Sequence, residues 1–155
     1  MHSLDGNTAP NFTLLDTEKR PRSLSEFLGK NVVLAFYPGA FTGVCTKEMC
    51  ALRDSLANFN LLNAQVVGIS VDAPFANKAF AIQNNLEFPL LSDYSRQVSK
   101  QYGGLHENFA GMAGYSVAKR SVFVIDAKGI VKYSWISENP AVEPDYSAIT
   151  EILKK

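Results

Sequence analysis

An α/β fold with a central mixed sheet flanked by helices is what this sequence predicts, and three observations carry it. Two apolar runs, Val32–Val33–Leu34–Ala35 and Val66–Val67–Gly68–Ile69–Ser70–Val71, are short, continuous and rich in β-branched residues, the pattern of strands buried on both faces. Each is followed by a stretch with apolar residues at helical spacing. A third apolar run, Ser121–Asp126, leads through the turn Ala127–Lys128–Gly129 into Ile130–Ile136, which reads as a hairpin.

Taken in order, residues 8–15 place Phe12 and Leu14 between polar neighbours, a short half-buried strand. Asp16–Arg22 is polar and ends in Pro21–Arg22, a hairpin or turn region. Ser23–Gly29 reads as a brief helical turn, capped by Ser23, supported by Glu26 and stopped by Gly29. The central strand covers about residues 31–37, and a helix about 45–60, where Met49, Leu52, Leu56 and Phe59 form one apolar stripe. Asp72–Ala73–Pro74 opens the next helix with Pro near its first turn; Phe75, Ala79, Phe80 and Ile82 are its expected inner face. Phe88–Asp93 is short and extended, Ser95–Tyr102 is a short helix ended by Gly103–Gly104, and Leu105–Val117 is a glycine-containing loop. Asp145–Lys154 closes the chain as a helix. The order βαβα, then a ββ hairpin, then α, with a right-handed crossover between the early strands, matches a thioredoxin-like sandwich with an N-terminal β-hairpin extension.

Size and composition narrow the function. At 155 residues the chain reads as one domain, 1–155, able to bury a core without staples. The formal net charge is zero, so nothing points to nucleic acid or an anionic membrane. No run of about 18 apolar residues suggests a transmembrane helix. The start, Met1–Gly6, has neither a basic stretch nor an apolar signal core, so a cytoplasmic location is expected, where thiols stay reduced.

Both cysteines lie in one segment, Phe36–Cys50, between the central strand and its helix. A cysteine in the first turn of a helix faces unpaired backbone N–H groups, which favour a thiolate together with the helix dipole. Cys45 is therefore a candidate reactive thiolate with a lowered pKa. The plain alternative is a small buried apolar group. Structural zinc would need Cys45, Cys50, His2 and His106 to converge, and the histidines are isolated from each other. His2 reads as an exposed terminal residue and His106 as a polar loop residue. A dithiol redox pair is usually C-x-x-C, whereas four residues intervene here. On an intact helix that spacing gives a rise of about 7.5 Å, beyond the roughly 7 Å reach of a disulfide. Either the pair never bonds, or the first helical turn unwinds to let it.

Pro38, Thr42 and Cys45 fit the Pro-x-x-x-Thr-x-x-Cys signature of the peroxiredoxins, and the chain resembles that family along nearly its whole length. The similar blocks are Ala9–Leu14, Ser70–Val71–Asp72, Phe88–Asp93 and Arg120–Asp126. The Cys-x-x-x-x-Cys spacing resembles the peroxiredoxin Q branch (bacterioferritin comigratory protein type), and Phe36–Thr42 also resembles the alkyl hydroperoxide reductase E-like branch. The resemblance implies that Cys45 attacks hydrogen peroxide or an organic hydroperoxide, and that Arg120 is the cation beside it. It implies that Thr42 contacts peroxide and sulfur, that Pro38 shields the sulfur from water, and that the Val44 and Cys45 N–H groups complete the cradle. Glu48 and Arg53 fall where the family supports its arginine. Cys50 would resolve the Cys45 sulfenic acid as an intramolecular disulfide, recycled by thioredoxin or a glutaredoxin-like dithiol. The alternatives are a one-cysteine peroxidase with Cys50 structural, or a non-enzymatic redox sensor. No metal, haem or flavin is expected, and the assembly is a monomer or homodimer.

Overall fold

The structure is a computed structural model and describes residues 4–155, so His2 lies outside the described residues. The chain begins with an antiparallel hairpin, β1 (Thr13–Leu15) and β2 (Pro21–Ser23), then one helical turn, α1 (Leu24–Phe27). The Ser23 N–H donates to Glu26 Oε1 at 2.9 Å, the reciprocal bond of a capping box. The core follows: β3 (Asn31–Phe36), α2 (Gly43–Asp54), α3 (Leu56–Leu61), β4 (Ala64–Ser70) and α4 (Pro74–Gln83). Then come β5 (Leu90–Ser92), α5 (Gln97–Gln101), a small hairpin β6 (Leu105–His106) and β7 (Val117–Ala118), β8 (Ser121–Ile125), β9 (Val131–Ile136) and α6 (Tyr146–Leu153).

Seven strands form one sheet in the order β2-β1-β5-β4-β3-β8-β9. β3, β4 and β5 are parallel, while β8 runs antiparallel to β3 and β9 antiparallel to β8, which makes the sheet mixed. The N-terminal hairpin extends one edge through β1 against β5. Period-two alternation divides the core. Val32, Leu34 and Phe36 of β3 face one layer with Phe12, Leu24, Phe27 and Tyr102; Val33, Ala35 and Tyr37 face the other with Cys45, Met49, Leu52, Phe80 and Ile149. A strand apolar on both faces needs a helical layer on each side, which is why β3 reads as an unbroken apolar run.

Three expectations are corrected. The helix expected over 45–60 starts two residues earlier, at Gly43, and breaks at Ser55, where ψ is near 2°. The Ser55 N–H is shared between the Ala51 and Leu52 carbonyls, a tightened last turn that re-aims the chain so α3 packs along β4. On α4 the inner face is Pro74, Asn77 and Phe80, not Phe75, Ala79 and Ile82; Phe75 and Ile82 are 71% and 69% exposed. The cause is polar. Asn77 is drawn inward because its Oδ1 accepts the buried Tyr37 hydroxyl at 2.8 Å, and that rotates the apolar residues at neighbouring angles outward. The stretch expected as loop over 105–117 carries the β6–β7 hairpin at its ends.

Candidate active site

β3 ends at Phe36, and the chain then runs through Tyr37, Pro38 and Gly39, all buried, before α2 opens. Between them Phe41 adopts φ +66, a left-handed conformation that costs a bulky L-residue about 1–3 kcal/mol. Its ring lies edge-on to Phe80 at 5.3 Å and stays half exposed. That turn aims the chain back so Thr42 becomes the N-cap of α2.

Threonine at an N-cap usually accepts a backbone N–H of the first turn. Thr42 does not: its side chain makes no cap bond, and its hydroxyl donates instead to the Gly39 carbonyl at 2.8 Å. The first N–H groups of α2, at Gly43, Val44 and Cys45, are thus left without a capping side chain. A hydroxyl has one proton, so Thr42 does not donate to Gly39 and to sulfur at once. With its proton on Gly39, its lone pairs remain for another donor.

Cys45 stands in the first turn of α2 and is fully buried. Antiparallel pairing brings Arg120 to it. Phe36 of β3 pairs with Ser121 of β8, so the residue just before β8 lies level with the loop that leaves β3. Arg120 is itself 1% exposed. Its Nη2 donates to Cys45 Sγ at 3.0 Å and to the Pro140 carbonyl at 3.0 Å. Its Nη1 donates to Glu48 Oε1 at 2.6 Å, and its Nε to Pro140 O at 3.2 Å. Glu48 is three residues beyond Cys45, hence on the same helix face, and fully buried. Thiol and carboxylate therefore share one guanidinium, whose charge is permanent and whose fork is rigid.

Burial is the largest influence on Cys45 and pushes its thiol upward. The Arg120 charge is the chief opposing influence, followed by the Thr42 hydroxyl when its proton turns to the sulfur and by the Gly39 N–H. The net direction in this closed pocket is up, not the lowering expected from sequence. The lowering groups are present, but the pocket that gathers them also excludes water.

Glu48 is pushed up to about 7, mainly by burial, with Arg120 pulling it down and Glu143 adding to the rise. A carboxyl raised in the folded state binds more protons folded than unfolded between its ordinary 4.5 and about 7. The stability it confers is fully present below that ordinary value and is lost as pH rises through about 7. Relative to Glu48→Gln, the wild-type protein should therefore lose on the order of 3 kcal/mol across this window. Denaturant unfolding of both proteins across that pH range measures it; a pH-independent difference rejects Glu48 as a buried titrating group.

The other site candidates are placed as follows. Arg53 points away from Arg120: its Nη1 donates to the Asn84 carbonyl at 2.7 Å and its Nε to Asp54 at 2.9 Å. Of the two residues expected to support Arg120, only Glu48 does so, because five residues along a helix rotate a side chain off the face of the first. Cys50 is half-buried and free, with Sγ 3.6 Å from Asn84 Oδ1. Cys45 and Cys50 both lie within the unbroken α2, the arrangement that forbids a bond between them without unwinding. His106 sits on β6 with its ring stacked on Phe109, and its Nε2 is buried without a hydrogen-bond partner among the described residues. Among those residues no three His, Cys, Asp or Glu side chains gather as metal ligands. Sequence reading missed the Pro140 carbonyl, which orients Arg120 through two bonds. A backbone oxygen in a loop has no residue-type signal that could have revealed it.

The chain has counterparts among known proteins. Residues 6–134 match the AhpC/TSA family. The chain belongs to that family. It is 46% identical over 127 residues to the chloroplastic peroxiredoxin Q of Sedum lineare, covering 82% of this chain and 66% of that protein. It is 42% identical over 127 residues to the putative peroxiredoxin bcp of Haemophilus influenzae, covering 81% of each. The chain thus spans slightly less than two-thirds of the Sedum relative, and 57% of the wheat one. Among solved structures it resembles peroxidoxin BcpB from Mycobacterium tuberculosis, with TM-score 0.86 and 35% identity over 99% of this chain and 97% of that one. It also resembles peroxiredoxin Q from Xanthomonas campestris, with TM-score 0.80 and 25% identity over 92% and 89%. The AhpC/TSA neighbours share the central mixed sheet and its helical layers, so the thioredoxin-like architecture read from the element order holds.

Proposed function

We propose that this AhpC/TSA-family chain is a thiol-dependent peroxidase that reduces hydrogen peroxide and small organic hydroperoxides through Cys45. The observation that carries the reading is the 3.0 Å bond from Arg120 Nη2 to the buried Cys45 sulfur. A cation placed there stabilises a thiolate and also the oxygen charge that develops as the O–O bond breaks. The thiolate attacks one peroxide oxygen; the other departs with the O–O electron pair as hydroxide or alkoxide, and Cys45 becomes a sulfenic acid. Thr42 accepts the peroxide O–H, Pro38 keeps bulk water off the sulfur, and the Val44 and Cys45 N–H groups face the oxygens. Two free thiols suit a reducing compartment such as the cytoplasm.

Cys50 then attacks the sulfenic sulfur and expels hydroxide, giving an intramolecular disulfide once the first turn of α2 unwinds. A dithiol protein of the thioredoxin or glutaredoxin kind returns both thiols by exchange. Peroxide-dependent NADPH consumption with thioredoxin and its reductase tests the whole cycle; one stoichiometric oxidation without turnover would instead mark a redox sensor. Cys50→Ser should leave the first oxidation as fast as in wild type and cut thioredoxin-driven turnover by about tenfold or more. Unchanged turnover would favour the one-cysteine route, which the hold of Asn84 on Cys50 within an intact helix also supports.

A further inference from the structure

The Gly39–Ala40 peptide is held from both sides. Its N–H, on Ala40, donates to Asp72 Oδ2 at 2.7 Å, and its carbonyl, on Gly39, accepts the Thr42 hydroxyl at 2.8 Å. A peptide unit is planar and trans, so its N–H and C=O point in opposite directions and turn together. Whatever fixes the N–H therefore fixes where the carbonyl aims. The carboxylate is fixed in turn. The hydroxyl of fully buried Ser70 donates to the same Oδ2 at 2.8 Å, and the Asp72 N–H returns to Ser70 Oγ at 3.2 Å. Ser70 Oγ also lies 3.3 Å from Asn77 Oδ1, which accepts the Tyr37 hydroxyl at 2.8 Å. The end of β4 and the inner face of α4 thus grip the catalytic loop at Tyr37 and at Ala40. The next residue is the strained Phe41, a conformation that persists only where its surroundings over-determine it.

We propose that Asp72 is a positioning residue for the peroxide step: through the Gly39–Ala40 peptide it holds the Thr42 hydroxyl proton on the Gly39 carbonyl, leaving the Thr42 oxygen as an acceptor aimed at the peroxide O–H. The inference deepens the peroxidase reading and rests on it. A carboxylate on the amide side also polarises the peptide and strengthens its carbonyl as an acceptor, so the arrangement is cooperative. Without Asp72 the peptide plane turns, the Thr42 proton is released, and the acceptor facing the pocket is lost. The Gly39 N–H that faces the sulfur belongs to the preceding peptide and the Arg120 fork to β8, so both still act on the nucleophile, and a released Thr42 proton that turns to the sulfur favours the thiolate further.

The test compares two electrophiles. Asp72→Ala should lower the second-order rate of Cys45 with hydrogen peroxide by about tenfold or more, because small misplacements of a reacting group have effects of that size. The rate with iodoacetamide, which carries no peroxidic O–H for Thr42 to accept, should not fall. Asp72→Asn keeps an oxygen for the Ala40 N–H and should stay within about threefold of wild type with both reagents. In a Thr42→Val background, Asp72→Ala should have almost no further effect on the peroxide rate. Equal loss with both electrophiles, or a full loss retained in the Thr42→Val background, would overturn the proposal, since both mark a general structural role. If Asp72→Ala does not fold, Ser70→Ala, which removes the hydroxyl that fixes the carboxylate, decides. Ser70→Ala should slow the reaction with peroxide and spare that with iodoacetamide, and an equal loss with both reagents, or no loss with peroxide, overturns the proposal. A wild-type protein inert to peroxide but reactive with iodoacetamide would sink the peroxidase reading instead.

Discussion

Cys45→Ser should abolish the proposed peroxide consumption, lowering the rate by on the order of 10⁴-fold or more, because a serine hydroxyl is not ionised at neutral pH and is a poor nucleophile towards oxygen. The substitution is small and the site is fully buried, so the fold should survive it. Serine also remains within reach of the Arg120 fork, so the pocket keeps its charge arrangement. The measurement is stopped-flow peroxide consumption by the pre-reduced protein, with circular dichroism to verify folding. Turnover retained in the folded variant would remove Cys45 from the reaction and the peroxidase reading with it.

Arg120→Ala comes second in size. The side chain donates to the sulfur, to Glu48 and twice to the Pro140 carbonyl, so truncation acts on chemistry and on structure. The chemical part is loss of the cation beside the thiolate and the developing oxygen charge, expected to slow the peroxide step by about 10²–10³-fold. The thiol should also titrate at still higher pH, because burial then acts without its chief opponent. The structural part is a buried Glu48 left without its partner, a change that costs about 3–5 kcal/mol where such pairs are broken. The two parts separate in the double variant Arg120→Ala with Glu48→Gln, which removes the carboxyl left without its partner and should recover stability but not peroxide reactivity. Thiolate ultraviolet absorbance against pH reads the first part and denaturant unfolding the second. An unshifted thiol titration in Arg120→Ala would exclude Arg120 from activating Cys45.

The shared guanidinium couples these results. One cation stands between a thiol and a carboxyl, both buried. When Glu48 is neutral, the full charge of Arg120 acts on Cys45; when Glu48 ionises, the charge is divided. Because Glu48 titrates near neutrality, the electrostatics around the sulfur change in the pH range where the protein is expected to work.

Much of the fold was legible because the signals were local. The continuous apolar run of β3, the Ser23–Glu26 capping pair, the Pro74 helix start and the Ala127–Lys128–Gly129 turn each state a backbone preference within a few residues. The errors came where a distant partner overrode periodicity. A Tyr37 hydroxyl needing an acceptor turned Asn77 inward, and Phe75 and Ile82 were left facing out. A tightened turn at Ser55 split a helix whose apolar spacing ran on unbroken.

For the site, the chain by itself determined the thiol, its place in the first turn of a helix, and the five-residue step to Cys50 that an intact helix cannot close. These follow from chain geometry within about one helical turn, which no tertiary contact alters. Only the tertiary structure decided that Glu48, not Arg53, pairs with Arg120, and that the Pro140 carbonyl braces the guanidinium from a loop 20 residues further on. It also decided that the Thr42 hydroxyl turns to the Gly39 carbonyl rather than capping α2, and that burial outweighs the groups lowering the Cys45 thiol. Those outcomes depend on desolvation and on partners up to 75 residues apart, brought together by the antiparallel pairing of β3 with β8. Spacing along a chain cannot express them, because they are set by which surfaces the packed layers exclude from water.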